Sequence, residues 1–244
     1  MYKNHFGGVL AFGVLTVVSL TLLYGAEPGR ELVQVNQSLA AEAEAPVGSI
    51  RTEEPQIALT FNGTGAGEDP SGILDILEEN GAGAAFFVTG EWVECYPEET
   101  KAILKAGHDL GSMGETYADL RRLSEADREE ELLALHNRVA ELTGYEMFLF
   151  RPPFGRYDGQ VLQCAENMGY VTVLGNTDSM DWKGYGPDAA AGAVLAAENG
   201  SIVIFRLGAP DTEEALKMVL QELRDRGCAV RSLSQMGIGA HCTE

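Results

Sequence analysis

Ala84-Ala85-Phe86-Phe87-Val88, a helical stretch from Pro97 to Ala106, and then His108-Asp109-Leu110-Gly111-Ser112 make the passage that decides the fold. Two short strand-like runs flank an amphipathic segment too long for a turn, and strands joined in that way lie parallel in one sheet. The unit repeats outward in both directions. Strands are expected at Ile57 to Phe61, Ala84 to Val88, His108 to Ser112, Phe148 to Arg151, Val171 to Leu174, Ile202 to Phe205 and Ala229 to Ser232. Helical periodicity fills Gly72 to Asn80, Pro97 to Ala106, Ser124 to Thr143, Gly159 to Met168, Pro187 to Ala197 and Thr212 to Arg226. Ser124 and Thr212 suit N-caps, Pro97 and Pro187 suit first turns, and Gly107, Gly144, Gly169 and Gly227 follow helix ends. Strict alternation predicts an α/β architecture with a parallel sheet. At this length it predicts closure into a barrel whose site is built by the loops after the strands.

Composition narrows the field. Of 244 residues, 45% are hydrophobic and 22% charged, values that exclude a disordered, collagenous or multi-span membrane chain. Seventeen basic residues stand against 37 acidic ones, a net charge of −20 that repels nucleic acid, so no nucleic-acid partner is expected. Cys95, Cys164, Cys228 and Cys242 lie far apart without a C-x-x-C pair, which leaves no sign of a structural zinc or thioredoxin-like motif. From Phe6 to Leu23 the chain carries no charge, long enough to span a bilayer, and bulky Tyr24 two positions before Ala26 argues against signal-peptide cleavage. The expectation is a signal anchor over residues 1–26, a membrane partner through that helix, and a single-pass protein. With Lys3 inside, the rest is extracytoplasmic. Residues 27–54 read as a stalk, 55–236 as the domain and 237–244 as a tail.

Taken in order, the strand ends carry a recognisable series: Ile57-Ala58-Leu59-Thr60-Phe61, Ala84 through Gly90, Gly107-His108-Asp109-Leu110-Gly111, Phe150-Arg151-Pro152-Pro153-Phe154-Gly155, Asp178-Ser179-Met180-Asp181-Trp182, and Gly200 through Phe205. This series resembles the polysaccharide deacetylase family (NodB homology, carbohydrate esterase 4) over roughly residues 55 to 236. The resemblance implies a distorted (β/α)7 barrel of the NodB type, here preceded by the transmembrane helix. It also implies metal-dependent removal of acetyl groups from N-acetylated glycans. That chemistry needs a divalent metal to activate water, a carboxylate base, and an acid for the leaving amine.

The sequence departs from the family at each of those positions. Asn62 stands where the base aspartate is expected, and an amide cannot accept the water's proton near neutral pH. Gly63, Met113 and Tyr117 occupy the metal-ligand positions: no ligand atom, a soft thioether, and a weak neutral phenol. Arg206 replaces the acid histidine and stays protonated. The expectation is therefore no intact catalytic residue, no metal and no cofactor, although the family would use a divalent metal such as zinc or cobalt. Glu115, Asp178 and Asp181 are the carboxylates expected near the barrel mouth, and His5, His108, His136 and His241 form no ligand cluster.

The retained residues define a pseudo-site of Arg151, Pro153, Phe154, Asp178, Asp181 and Trp182. Arg151 either binds a substrate group or anchors the Pro-rich turn. Asp181 is expected to pair with Arg206, and Trp182 either stacks on a sugar or packs the rim. The expected function is a membrane-anchored, extracytoplasmic glycan-binding or cell-envelope module without hydrolysis, its partner a cell-envelope glycan. Two alternatives remain open: an active N-deacetylase of peptidoglycan or chitin-like polymers with an unconventional site, and a partner-binding barrel of a cell- or spore-envelope complex.

Overall fold

The computed structural model describes residues 45–239, so the expected membrane segment, most of the stalk and the last five residues lie outside the described residues. No helix among the described residues is long and apolar enough to cross a membrane. The elements run β1 (Gln56–Gly63), α1 (Ser71–Asn80), β2 (Ala84–Val88), α2 (Gly90–Cys95), α3 (Pro97–Lys105), β3 (Asp109–Ser112), α4 (Glu125–Thr143) and β4 (Leu149–Phe150). They continue with α5 (Gly159–Asn167), β5 (Val171–Thr172), β6 (Thr177–Asp178), α6 (Pro187–Leu195), β7 (Ile202–Arg206), α7 (Thr212–Asp225) and β8 (Ala229–Arg231).

The strands form one sheet in the order β5-β4-β3-β2-β1-β7-β6, with β8 joined to the start of β1, and all these pairings are parallel. Strand β1 lies centrally because both of its faces are covered, which is why Ile57 through Phe61 read as one continuous buried run. Its outward residues, Leu59 and Phe61, join Phe86, Val203 and Phe205 in the core beneath the helices. There Phe61 stacks on Phe86 and Phe205 with ring centroids 5.1 and 5.5 Å apart. Its inward residue Ala58 belongs to a smaller core inside the curve of the sheet, with Ala85, Phe87, Met113, Leu149, Val173 and Ile202.

Four expectations need correction. There are eight strands among the described residues, not seven, because Thr177–Asp178 adds a two-residue strand beside β7. A short helix, α2, follows β2, begun by Thr89 accepting from the Trp92 amide; six residues are too few to show periodicity. The sheet also stays an open half-barrel, with β5 and β6 at the two ends of its path. Two residues each are too short to pair across the seam, and residues 47–50, read as stalk, are stitched in instead. Val47 donates to Thr172 at 2.8 Å, Leu174 donates back to Val47 at 2.9 Å, and Ile50 donates to Gly200 at 2.8 Å. Ser124 caps α4 as expected. Thr212 does not cap α7; its hydroxyl serves the site described next.

Candidate functional site

The strands end together at one mouth. Alternation along β1 turns Thr60 and Asn62 to the inside of the half-barrel, and the parallel register sets Arg206 of β7 directly beside Asn62. Arg151, just after β4, reaches across beneath them. Its Nη1 donates to Asn62 Oδ1 at 2.8 Å and to Thr60 Oγ1 at 2.9 Å, its Nε donates to the Val173 carbonyl at 3.3 Å, and its guanidinium lies 3.9 Å over the Phe87 ring. Only 3% of Arg151 is exposed, all of those acceptors are neutral, and its Nη2 is buried without a partner. Burial without a counter-charge pulls the guanidinium pKa down to about 9, which leaves it charged at neutral pH. Arg151 thus binds Asn62, and the amide at the base position is held as an acceptor.

Asp181 is fully buried, and the expected ion pair with Arg206 does not form. Its Oδ2 accepts from the backbone amide of Arg206 at 2.9 Å and from the Thr212 hydroxyl at 2.5 Å, while Oδ1 has no partner. The Arg206 guanidinium turns outward and lies 4.7 Å over the Trp182 ring. One carboxylate oxygen takes both donors under the strand end, and the guanidinium above is left to Trp182. Asp178 accepts from the Met180 amide at 2.9 Å and lies 3.5 Å from the Trp182 indole nitrogen. Glu115 follows β3 at these strand ends, but its carboxylate is drawn to Arg138 on α4, beside Gly90.

Gly63 and Met113 are packed into apolar surroundings. A Cβ at Gly63 would meet the indole Nε1 of Trp92 and the Cδ1 of Leu207, each at 2.8 Å. Trp92 is pinned by α2 and by donation from Nε1 to the Glu68 carbonyl at 3.0 Å. Met113 is 1% exposed within the inner core. Tyr117, half-buried against the inner core, packs on Phe154 with ring centroids 4.6 Å apart and planes tilted by 52°. Tyr117, Phe154 and Met180 all hold left-handed backbones, with φ of 58, 60 and 60°. Each follows a different strand at this mouth, and non-glycine residues keep such conformations only where their surroundings enforce them. Pro153 is buried beneath the exposed Phe154.

Beside these residues a cavity of about 360 Å³ opens, lined among others by Asn62, Glu68, Tyr117, Trp182, Arg206 and Leu207. Trp182 remains 43% exposed on its wall. Arg151 and Asp181 lie below it rather than on its surface. Sequence reading missed Thr60, Trp92, Leu207 and Thr212. Thr60 stands inside the first strand-end segment, where nothing sets it apart from its neighbours, Thr212 reads as a helix cap, and Trp92 rides on the short helix that periodicity could not detect. Leu207 alone carried a signal, as the residue following β7.

A model of the polysaccharide deacetylase family matches residues 49–173. The chain is 30% identical over 203 residues to a chitooligosaccharide deacetylase of Sinorhizobium fredii, a match covering 75% of this chain and 93% of that one. The structure of Bacillus subtilis PdaA, a family 4 carbohydrate esterase, is similar at a TM-score of 0.74 and 26% identity, over 83% of this chain and 88% of that one. BA3943 of Bacillus anthracis, a pseudoenzyme of the same family, is similar at a TM-score of 0.74 and 25% identity, over 79% of this chain and 68% of that one. A mutant of BA3943 has restored enzymatic activity.

The family match overturns the expectation that no cofactor belongs here, because this family works with a divalent metal. The residues at its ligand positions do not fit one: Gly63 has no ligand atom and no room for one, and Met113 is sealed in the inner core. Tyr117 is engaged with Phe154. Among the described residues no group of three or more His, Cys, Asp or Glu gathers elsewhere to hold a metal.

Proposed function

Because the chain belongs to the polysaccharide deacetylase family, we propose that it is a membrane-anchored, extracytoplasmic glycan-binding module of the cell envelope whose inherited catalytic position does not hydrolyse. One observation carries the reading: Asn62, at the position of the base, is an amide whose oxygen accepts from the buried Arg151 guanidinium. It lacks the basicity to take a proton from water. The cavity above it supports the glycan half of the proposal, since an open aromatic wall at Trp182 suits the apolar face of a pyranose. The membrane anchor and the outside location rest on the uncharged run from Phe6 to Leu23.

The competing reading is an active N-deacetylase of peptidoglycan or chitin-like glycans, favoured by the likeness to relatives with those names. The two separate in one experiment. The full-length chain, supplied in turn with zinc, cobalt and manganese, is incubated with chitotetraose while acetate release and binding are both measured. The expected result is binding without acetate, with Trp182→Ala weakening the binding about tenfold through loss of the stacking surface. Metal-dependent acetate release establishes the deacetylase instead, and absence of binding to chitotetraose and to peptidoglycan fragments alike removes the glycan-binding reading.

A further inference from the structure

We infer that the mouth of the half-barrel selects a glycan carrying a carboxylate, and that Arg206 is the residue that reads it. The inference rests on the glycan-binding reading above and names the class of glycan.

It begins from the charge of the cavity floor. Asn62 accepts from the Arg151 guanidinium below it, and Arg206 stands beside it in register on β7 with its guanidinium over Trp182. Neither arginine has a carboxylate partner among the ion pairs of the described residues. Arg151 is buried, its three acceptors are neutral, and its Nη2 has no partner at all.

The carboxylates nearby are bonded to neutral donors and to neither guanidinium. Glu68 lines the cavity, but its oxygens accept from the Thr64 amide and hydroxyl and from the Gly65 amide. Asp181 is buried under Arg206 with one oxygen accepting two bonds and the other without a partner, and Asp178 accepts from the Met180 amide. The chain as a whole carries a charge of −20, which repels anions at a distance, so an anionic ligand needs a local cation to hold it. Arg206 is placed for that role.

The shape of the ligand follows from what surrounds Arg206. The planar guanidinium fork matches a carboxylate by two parallel hydrogen bonds. Held 4.7 Å over the Trp182 ring, it sits beside an exposed aromatic wall that takes the face of a sugar. Together the two side chains describe a pyranose with an acid group projecting from it.

The test compares a matched pair of probes on the full-length chain: a disaccharide containing N-acetylmuramic acid, and the same disaccharide with its carboxylate methylated. Chitotetraose serves as the uncharged reference. The acid form is expected to bind about tenfold tighter than its ester at low ionic strength, with the advantage shrinking as salt is raised. Arg206→Gln, at an exposed position, is expected to collapse the ratio between the two. Equal binding of acid and ester, or a ratio that survives Arg206→Gln, overturns the inference while glycan binding stands. Failure of all three probes to bind removes the glycan reading, and the inference falls with it.

Discussion

The two halves of the mouth have diverged in opposite senses. Around Gly63 and Met113, where the family holds its metal, the interior is solid: Trp92 and Leu207 close on one, and Phe87 and Leu149 share a core with the other. Around Trp182 and Arg206 a cavity of about 360 Å³ stays open, with an aromatic wall exposed and a guanidinium free of ion pairs. A site that decayed without use would be expected to fill or loosen evenly. Here the half that would hold a reagent has been packed, while the half that would hold a substrate keeps a surface, and three left-handed backbones at Tyr117, Phe154 and Met180 are maintained around it.

The strongest way to break this contrast is to force the packed half open. Gly63→Ala is expected to lower the unfolding free energy by about 1–3 kcal/mol, because the added methyl has nowhere to go between Trp92 and Leu207. Gly63→Asp should cost about 3 kcal/mol or more, since it adds a charge with no partner in the same space. Urea midpoints of the two variants measure this. A Gly63→Asp chain as stable as the parent would mean that Trp92 yields easily and that this half is not committed.

A gentler change at Asn62 should act in the reverse direction. Asn62→Asp places a carboxylate about where the amide oxygen now lies, 2.8 Å from Nη1 of Arg151, and gives the buried guanidinium its missing counter-charge. We expect a gain of about 1 kcal/mol at neutral pH, the charged hydrogen bond outweighing the desolvation of one more ion. Arg151 would hold the new carboxyl below the usual aspartate range. The gain should therefore be present above the unfolded-state value near 4 and disappear as pH falls through the lower folded value. A loss of stability at pH 7 would show that Arg151 is already balanced by some other group.

How much of this could be read from the residues varies with the interaction involved. Most of the β-α alternation was legible because burial on two faces leaves a short continuous run, as in Ile57 to Phe61, and burial on one stripe leaves a helical period, as in α4. The extra strand at Thr177 and the open seam were not, since two-residue strands leave no period, and Val47 joins the sheet through backbone bonds that its neighbours do not advertise. The positions of Asn62, Gly63, Met113 and Arg206 followed from the flanking motifs. What their side chains do did not follow. An Asp181–Arg206 pair is the natural guess from two opposite charges near one strand end, and the structure satisfies Asp181 with a backbone amide and Thr212 instead. Short-range partners of that kind are decided by sub-ångström placement.

The smallest effect comes from the opposite end of the half-barrel and sharpens the contrast by serving as its control. His108 is 7% exposed, packs 5.6 Å from the Phe86 ring, and leaves Nδ1 buried without a partner, much as Arg151 leaves Nη2. Burial lowers its pKa, with the carboxylate of Asp109 opposing in part. Below the ordinary value of 6.5 the unfolded chain takes up a proton that the folded chain refuses, so stability is full above that pH and falls as pH drops through it toward the lower folded value. His108→Gln removes the titrating group, and urea midpoints measured from pH 7.5 to 5 should decline less steeply in the variant than in the parent. Addition of glycan should shift both curves equally, because this unpartnered nitrogen lies away from the mouth. If the slope at His108 instead responds to glycan, the two ends are coupled, and the unpartnered groups at the mouth are no longer special to ligand recognition.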